Sequence, residues 1–314
     1  MTQSSEPQLA TAVLMIRPVR FESNPLTAVS NRFQGQSKLD AVAQNRQAQV
    51  EFDALHATLR SAGIRIIVFA DTTEPHTPDS VFPNNWISFH HDGRVVLYPM
   101  EAENRRLERR LDVLEQLVQE HGYQIREVVD LSQYEQSGRF LEGTGSLVLD
   151  RPGRIAYACL SSRTHFDPLG EFSQRMDYEI VTFDAMDPDG VPIYHTNVVM
   201  HVGERLAAIC TEAISDEAQR KAVLRSLKST GHDVIELSYT QLAAFAGNML
   251  ELRNAAGERV TTLSQQAFDA LDTEQIASLQ DNGQVVTANI PVIEASAGGS
   301  VRCMLAEIHL PSAV

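Results

Sequence analysis

Residues 273–303 read TEQIASLQDNGQVVTANIPVIEASAGGSVRC, and their pattern decides the fold. Thr273 to Gln280 carries helix formers, Gly283 stops them, and Gln284 to Ile290 has the β-branched content of a strand. A short loop leads to the corner Gly298-Gly299-Ser300-Val301-Arg302-Cys303, which opens onto the apolar run Met304 to Ile308. Glycine takes backbone conformations closed to other residues. The corner therefore presents one thiol, with an arginine beside it, on a tight turn. Nucleophiles are often presented this way. A small buried thiol packed at a strand start has the same sequence signature.

Outward from this stretch, the same unit recurs. Ala41 to Ser61 is predicted helical, with Val50, Leu55 and Leu59 on its apolar side. Gly63 ends it, and Ile64 to Phe69 is a strand. Leu107 to Glu120, Gly122 and Tyr123 to Val129 repeat the order. So do Phe172 to Asp177 with Tyr178 to Phe183, and Glu217 to Ser229 with Gly231 and Asp233 to Leu237. Each unit leads to a corner of small or amide residues. The corners are Pro83-Asn84-Asn85-Trp86, Glu142-Gly143-Thr144-Gly145, His195-Thr196-Asn197-Val198, Gly247-Asn248-Met249-Leu250 and the cysteine corner. They lie roughly 50 to 60 residues apart, a period that signals repeat architecture. Five such units bury their shared faces by closing into a ring, which gathers the corners at the axis and makes them candidates as a group. Before the first unit, Thr11 to Pro18 is a strand. Phe21 to Asp40 is a polar irregular loop able to cover something. No linker interrupts the chain, so residues 1–314 are read as a single α/β domain.

Composition narrows the function. A content of 43% hydrophobic and 21% charged residues is that of an ordinary globule with ample core. The net charge of -15 opposes nucleic-acid and anionic-membrane partners, which reward basic patches, but not a small cationic or zwitterionic substrate. The N-terminus lacks the pattern of a signal peptide, and no apolar run approaches the ~20 residues of a membrane helix. Cys159, Cys210 and Cys303 form no paired or zinc spacing, so a reduced, cytoplasmic setting is expected, with no metal and no cofactor. His90-His91 point to opposite sides of any strand and make no chelate.

The corners supply one thiol, one imidazole and one carboxylate. Cys303 can attack an electrophilic carbon, provided a nearby charge or base ionises it; Arg302 and His195 are the candidates. His195 can protonate a leaving amine and then activate water. Glu142 can orient that histidine or accept from substrate nitrogens. Arg163, in Ser161-Ser162-Arg163-Thr164, can grip a carboxylate with its planar fork.

The five-unit ring, Glu142-Gly143, His195-Thr196-Asn197 and Gly298-Gly299-Ser300-Val301-Arg302-Cys303 resemble the pentein, or guanidino-group-modifying, superfamily. Within it, Phe82-Pro83-Asn84-Asn85-Trp86, Tyr194-His195-Thr196-Asn197 and Phe245-Ala246-Gly247-Asn248-Met249 look most like the citrulline-utilisation hydrolase branch. The resemblance spans roughly Val13 to Leu310. It implies a five-bladed, pseudo-fivefold α/β propeller with its site on the axis. It also implies Cys303 as nucleophile, His195 as general acid/base, Glu142 as their partner and Arg163 as a carboxylate anchor. Asn84, Asn85, Asn197 and Arg302 complete the expected substrate contacts.

The departures bear on substrate. Arginine deiminases carry aspartates where Asn85 and Asn197 fall, and an acidic residue often stands near Gly145. A buried guanidinium would lack counter-charge here, which is costly. An asparagine offers a donor and an acceptor, suiting a neutral ureido group. The expectation is hydrolysis of citrulline to ornithine, carbon dioxide and ammonia through a thiocarbamoyl enzyme, in a chain with a small amino-acid substrate and a possible homo-oligomeric state. Two alternatives remain: an arginine-deiminase or dihydrolase type of guanidine hydrolase, and a non-catalytic ring like the pentein-fold translation initiation factor.

Overall fold

A three-stranded sheet recurs five times in the computed structural model, which describes residues 6–35, 37 and 39–312. The strands are β1 (Ala12–Arg17), β2 (Arg65–Ala70), β3 (Ile87–Phe89), β4 (Arg94–Leu97), β5 (Glu127–Asp130), β6 (Val148–Asp150), β7 (Ile155–Cys159) and β8 (Glu179–Phe183). They continue with β9 (Met200–Val202), β10 (Leu206–Ile209), β11 (Asp233–Glu236), β12 (Leu250–Arg253), β13 (Arg259–Ser264), β14 (Gln284–Ala288) and β15 (Ala306–Ile308). In β3-β4-β5 the inner strand runs antiparallel to the middle one and the outer strand parallel to it. The other four sheets repeat this order. A parallel neighbour needs a crossover, and each unit runs a main helix through it, preceded in the fifth by the short helix Gln265–Asp269. The main helices are Ala41–Ser61, Leu111–Gln119, Phe166–Met176, Glu217–Ser229 and Thr273–Asn282.

Neighbouring sheets touch in a closed circuit. β15 meets β3, the turn Gly143–Ser146 ahead of β6 meets β3, β6 meets β9, β9 meets β12, and the helix Ala41–Ser61 packs on β14. The last strand, β15, pairs with the first, β1, with Leu14 opposite Ala306, so one blade is built from both ends of the chain. Middle strands lie between two partners and are buried almost throughout, as in β7. Outer strands such as β5 and β11 keep one buried position in four. Four apolar clusters fill the spaces between blades. The expected five-bladed α/β propeller is the observed architecture.

The differences from expectation are local and have physical causes. Val50 is 55% exposed, whereas Ala48, Phe52, Leu55 and Leu59 are buried. Those four repeat at helical spacing, and Val50 falls two positions from Phe52 and so on the other face. The third unit has no glycine stop because Asp177 takes the left-handed conformation, at φ 58°, where Gly63, Gly122 and Gly231 serve elsewhere. Gly283 is extended, at φ 169°, and ends its helix without that turn. The charged run from Glu103 makes a 3-10 turn before the helix at Leu111, so that helix starts later than the pattern suggested.

Residues 6–10 close the ends of the inner strands remote from the corners. Gln8 donates to Leu149 O and Val202 O at 2.9 Å each. Glu6 is buried against Arg151 and Arg154, both at 2.7 Å, and accepts from Tyr178 Oη at 2.9 Å. Burial alone would raise the Glu6 pKa; Arg151 and the nearby histidines overcome this and hold it well below the usual carboxylate range. Glu6→Ala is expected to cost about 3 kcal/mol, because it strands a buried guanidinium. A urea titration showing less than about 1 kcal/mol would contradict this account.

Candidate active site

The corners form short helical turns at Pro83–Asn85, Gly143–Ser146, Thr196–Val199 and Val301–Met304, while Gly247-Asn248 leads directly into β12. These four turns meet in sequence around the axis: Pro83–Asn85 touches both Val301–Met304 and Gly143–Ser146, which touches Thr196–Val199. The approach is closest at Gly143, where an added Cβ would lie 2.2 Å from Asn84 O, and φ is +50°. Only glycine fits there. The side chains that these turns project form one buried group.

Cys303 is 2% exposed. Two amides flank its sulfur: Asn248 Nδ2 lies 3.4 Å and Asn197 Nδ2 3.5 Å from Sγ. Asn248 is oriented from behind, since its Oδ1 accepts from the Arg302 backbone N–H at 3.1 Å and its Nδ2 donates to Asn197 O at 2.9 Å. Both amides therefore offer N–H to a thiolate, the ionised form a nucleophile needs.

His195 Nε2 donates to Glu142 Oε2 at 2.8 Å, which leaves Nδ1 for chemistry. Burial lowers the His195 pKa, and Glu142 pulls it up only part of the way, leaving it at about 4. The ring is therefore neutral at neutral pH and able to take a proton. Burial would raise the Glu142 pKa, but Arg163, His195 and Arg105 together hold it well below the ordinary range. Glu142 Oε1 also accepts from the Glu101 N–H at 3.0 Å. The imidazole thus sits on a fixed carboxylate. Tyr194 packs against it at a tilt of 41°, ring centroids 4.5 Å apart, and donates its hydroxyl to Gly298 O at 2.5 Å.

A small cavity is lined by Cys303, His195, Tyr194, Asn85, Arg105, Arg163 and Asp79, with Thr27 and Asn31 from the covering loop. That loop lies over the site. Ser30 Oγ accepts from Arg163 Nη2 at 2.8 Å, Thr27 O accepts from the same atom at 3.0 Å, and Asn31 Nδ2 donates to Ala297 O at 3.1 Å. Arg163 also meets Glu142 at 3.4 Å and Glu101 at 3.2 Å.

Of the residues expected from sequence, Cys303, His195, Asn85 and Arg163 line this cavity. Glu142 stands behind His195, and Asn197 beside the sulfur. Two expectations change. The Arg302 side chain turns to Glu307, at 2.7 Å, and to Leu305 O, so its guanidinium borders a different cavity. Only its backbone serves the site, through Asn248. Asn84 lies one layer back, donating to Thr144 Oγ1 at 3.3 Å and accepting from Asn85 Nδ2 at 3.0 Å.

Sequence reasoning missed Arg105 and Asp79. Arg105 sits in the run Glu103-Asn104-Arg105-Arg106-Leu107-Glu108-Arg109-Arg110, which reads as a solvated face. It is instead 2% exposed and paired with Glu108 by two bonds of 2.9 Å. Burial opposes both charges, yet the fork-on-carboxylate geometry and the nearby Asp79 and Glu142 keep the guanidinium protonated and raise its pKa. Asp79 reads as a turn residue. Its Oδ2 accepts from Asn24 Nδ2 at 2.7 Å, while its buried Oδ1 has no hydrogen-bond partner among the described residues. Among the described residues, no cluster of histidine, cysteine or carboxylate side chains is arranged to hold a metal ion. None of the described helices is long and apolar enough to cross a membrane.

A family model described as N,N dimethylarginine dimethylhydrolase, eukaryotic, matches residues 17–310. No curated protein matches the chain. Among solved structures, apo ArgZ, an arginine dihydrolase from the ornithine-ammonia cycle in cyanobacteria, superposes with a TM-score of 0.72 at 18% identity. The match covers 96% of this chain and 41% of ArgZ, so this chain spans about two fifths of that protein. The N-terminal domain of ArgZ bound to product gives 0.70 at 18% identity, covering 96% of this chain and 99% of that domain. A dimethylarginine dimethylaminohydrolase variant, as its adduct with S-methyl-L-thiocitrulline, gives 0.64 at 15%, covering 95% and 99%. At these identities the likeness carries the fold.

Proposed function

The chain belongs to the N,N dimethylarginine dimethylhydrolase family, among the pentein hydrolases that act on C–N bonds of guanidino groups, and from that premise we propose that it is a cysteine-dependent hydrolase of the terminal guanidino or ureido carbon of a free arginine-type amino acid. The observation that carries this reading is the convergence of Cys303, the His195–Glu142 pair and the buried Arg163 and Asp79 on one small cavity. Arg163 suits the substrate α-carboxylate. The unpartnered Asp79 Oδ1 suits the α-ammonium. The five blades, closed by β15 on β1, would serve as one catalytic domain.

In the proposed reaction, Cys303 Sγ adds to the central carbon as its proton passes to His195 Nδ1. The imidazolium returns that proton to the departing nitrogen, which leaves as an amine or ammonia. Water then attacks the thioester-like carbon, giving one proton to His195, and the carbon–sulfur bond breaks to restore the thiol; from a ureido substrate this releases a carbamic acid, which loses carbon dioxide to free its nitrogen as the amine or ammonia. Amide N–H groups at Asn197 and Asn248 lie against Sγ, where the sequence had suggested the Arg302 charge.

Arginine as the entry substrate, processed through citrulline to ornithine, agrees with the activity named for ArgZ. Citrulline as the substrate in its own right is favoured by the amides, rather than carboxylates, around the sulfur. Both routes share the hydrolysis of a ureido group to ornithine. Product analysis of purified protein given arginine, citrulline and N,N-dimethylarginine separately tests the proposal. Ornithine and ammonia from citrulline are the expected result. Dimethylamine and citrulline from dimethylarginine would instead assign the reaction in the family's description. No product from any of the three would sink the hydrolase reading.

A further inference from the structure

Asn85 is pinned on two sides. Its Oδ1 accepts from Arg105 Nη1 at 2.8 Å, and its Nδ2 donates to Asn84 Oδ1 at 3.0 Å. Arg105 cannot move aside, since Glu108 holds its Nε and Nη2 at 2.9 Å each and the pair is buried. A guanidinium only donates, so the amide atom facing it must be oxygen. Asn84 is fixed in turn, with Nδ2 on Thr144 Oγ1 at 3.3 Å and Oδ1 toward Asn85. Flipping Asn85 would set N–H against N–H at Arg105 and oxygen against oxygen at Asn84. Asn85 lines the cavity with one N–H unpaired, while its oxygen is held by Arg105. Asn197 has the opposite polarity. Its Nδ2 lies toward Cys303 Sγ, and its buried Oδ1 has no hydrogen-bond partner among the described residues.

We propose that Arg105 is a specificity-determining residue that acts through Asn85: it locks the amide with its N–H toward the reacting group, so that the site selects a ureido oxygen over a guanidinium. This rests on the hydrolase reading above. Every polar atom of a guanidinium is a donor, and one of them would face the fixed Asn85 N–H. A ureido oxygen accepts that N–H and gains negative charge as sulfur adds, so the bond strengthens toward the transition state. Asn197 Oδ1 accepts from the ureido NH₂ on the other side. Sites built to hydrogen-bond one polar group can reject an analogue lacking it by on the order of 10⁴-fold.

The test compares kcat/KM for citrulline and arginine in the wild type, Arg105→Gln and Asn85→Asp, with iodoacetamide labelling of one thiol to confirm an intact nucleophile. The wild type is expected to favour citrulline. Arg105→Gln, whose side chain can accept as well as donate, frees the amide to turn, and the citrulline-to-arginine ratio is expected to fall at least about tenfold. Asn85→Asp presents acceptors only and is expected to shift the ratio toward arginine by about 100-fold or more. If Arg105→Gln does not fold, the near-isosteric Asn85→Asp carries the test alone. A merely structural role for Arg105 lowers both substrates by one factor, and an unchanged ratio overturns the proposal. Wild-type preference for arginine overturns it too, with the hydrolase reading intact. Inertness of the wild type toward both substrates removes the hydrolase reading itself.

Discussion

Cys303→Ala is expected to lower turnover of the physiological substrate by at least about 10⁴-fold while leaving the protein folded. Cys303 supplies the one sulfur in the cavity. Cys159 and Cys210 are packed in the core, where burial pushes their thiols up to about 12 and about 11. Neither can replace the missing nucleophile, and neither should react quickly with an alkylating agent. Alanine removes only one sulfur from a site already filled by neighbours, so the stability cost should stay near 1 kcal/mol. A thermal melt within a few degrees of the wild type would establish that the lost activity is chemical. A variant retaining more than about a hundredth of wild-type turnover would show that sulfur is not the attacking atom.

The repeat was legible because it is written in local signals. Helix formers, a stop and a β-branched run follow one another regardless of what lies across the ring. The corners were legible for the same reason: small and amide residues mark where the chain turns at the axis. Local signals could not say which way a side chain faces once five turns meet. Arg302 and Cys303 are adjacent, yet their side chains border different cavities, because successive positions of a turn point in different directions. Asn84 and Asn85 separate likewise into a supporting and a lining residue. Arg105 was hidden by its neighbours in a charged run. Its partners Asn85 and Asp79 lie about 20 residues or more away, and no spacing rule for helices or strands links them. Asp79 became significant only through an unfilled oxygen, a property of the assembled cavity. The covering loop was legible only as a polar stretch able to cover something, and the contacts of Thr27, Ser30 and Asn31 with Arg163 and Ala297 belong to the assembled site.

Glu142→Gln should have the second-largest effect, and its cause is the tautomer of His195. In the wild type both carboxylate oxygens accept: Oε1 from the Glu101 N–H, and Oε2 from His195 Nε2 and Arg163. A glutamine has one acceptor. If its oxygen stays on Glu101, its NH₂ faces His195, which must then accept at Nε2 and carry its proton on Nδ1, the nitrogen needed as base. Loss of a base through the wrong tautomer costs on the order of 10³- to 10⁴-fold in kcat, with KM changed little. The substitution also removes a negative charge between Arg163 and Arg105. The cost should be about 3 kcal/mol, limited because Glu101 and Glu108 remain as partners. Its pH dependence has a definite sign. The folded protein holds the Glu142 pKa well below the usual carboxylate range. The carboxylate therefore stabilises the fold above that range and loses this contribution as the pH falls. The gap in stability between wild type and variant should be full at pH 7 and shrink below about pH 4.5. Denaturant titrations at both pH values, run beside steady-state kinetics at pH 7, separate the two roles. A variant with normal kcat and reduced stability would reduce Glu142 to a counter-ion and leave His195 oriented by something else.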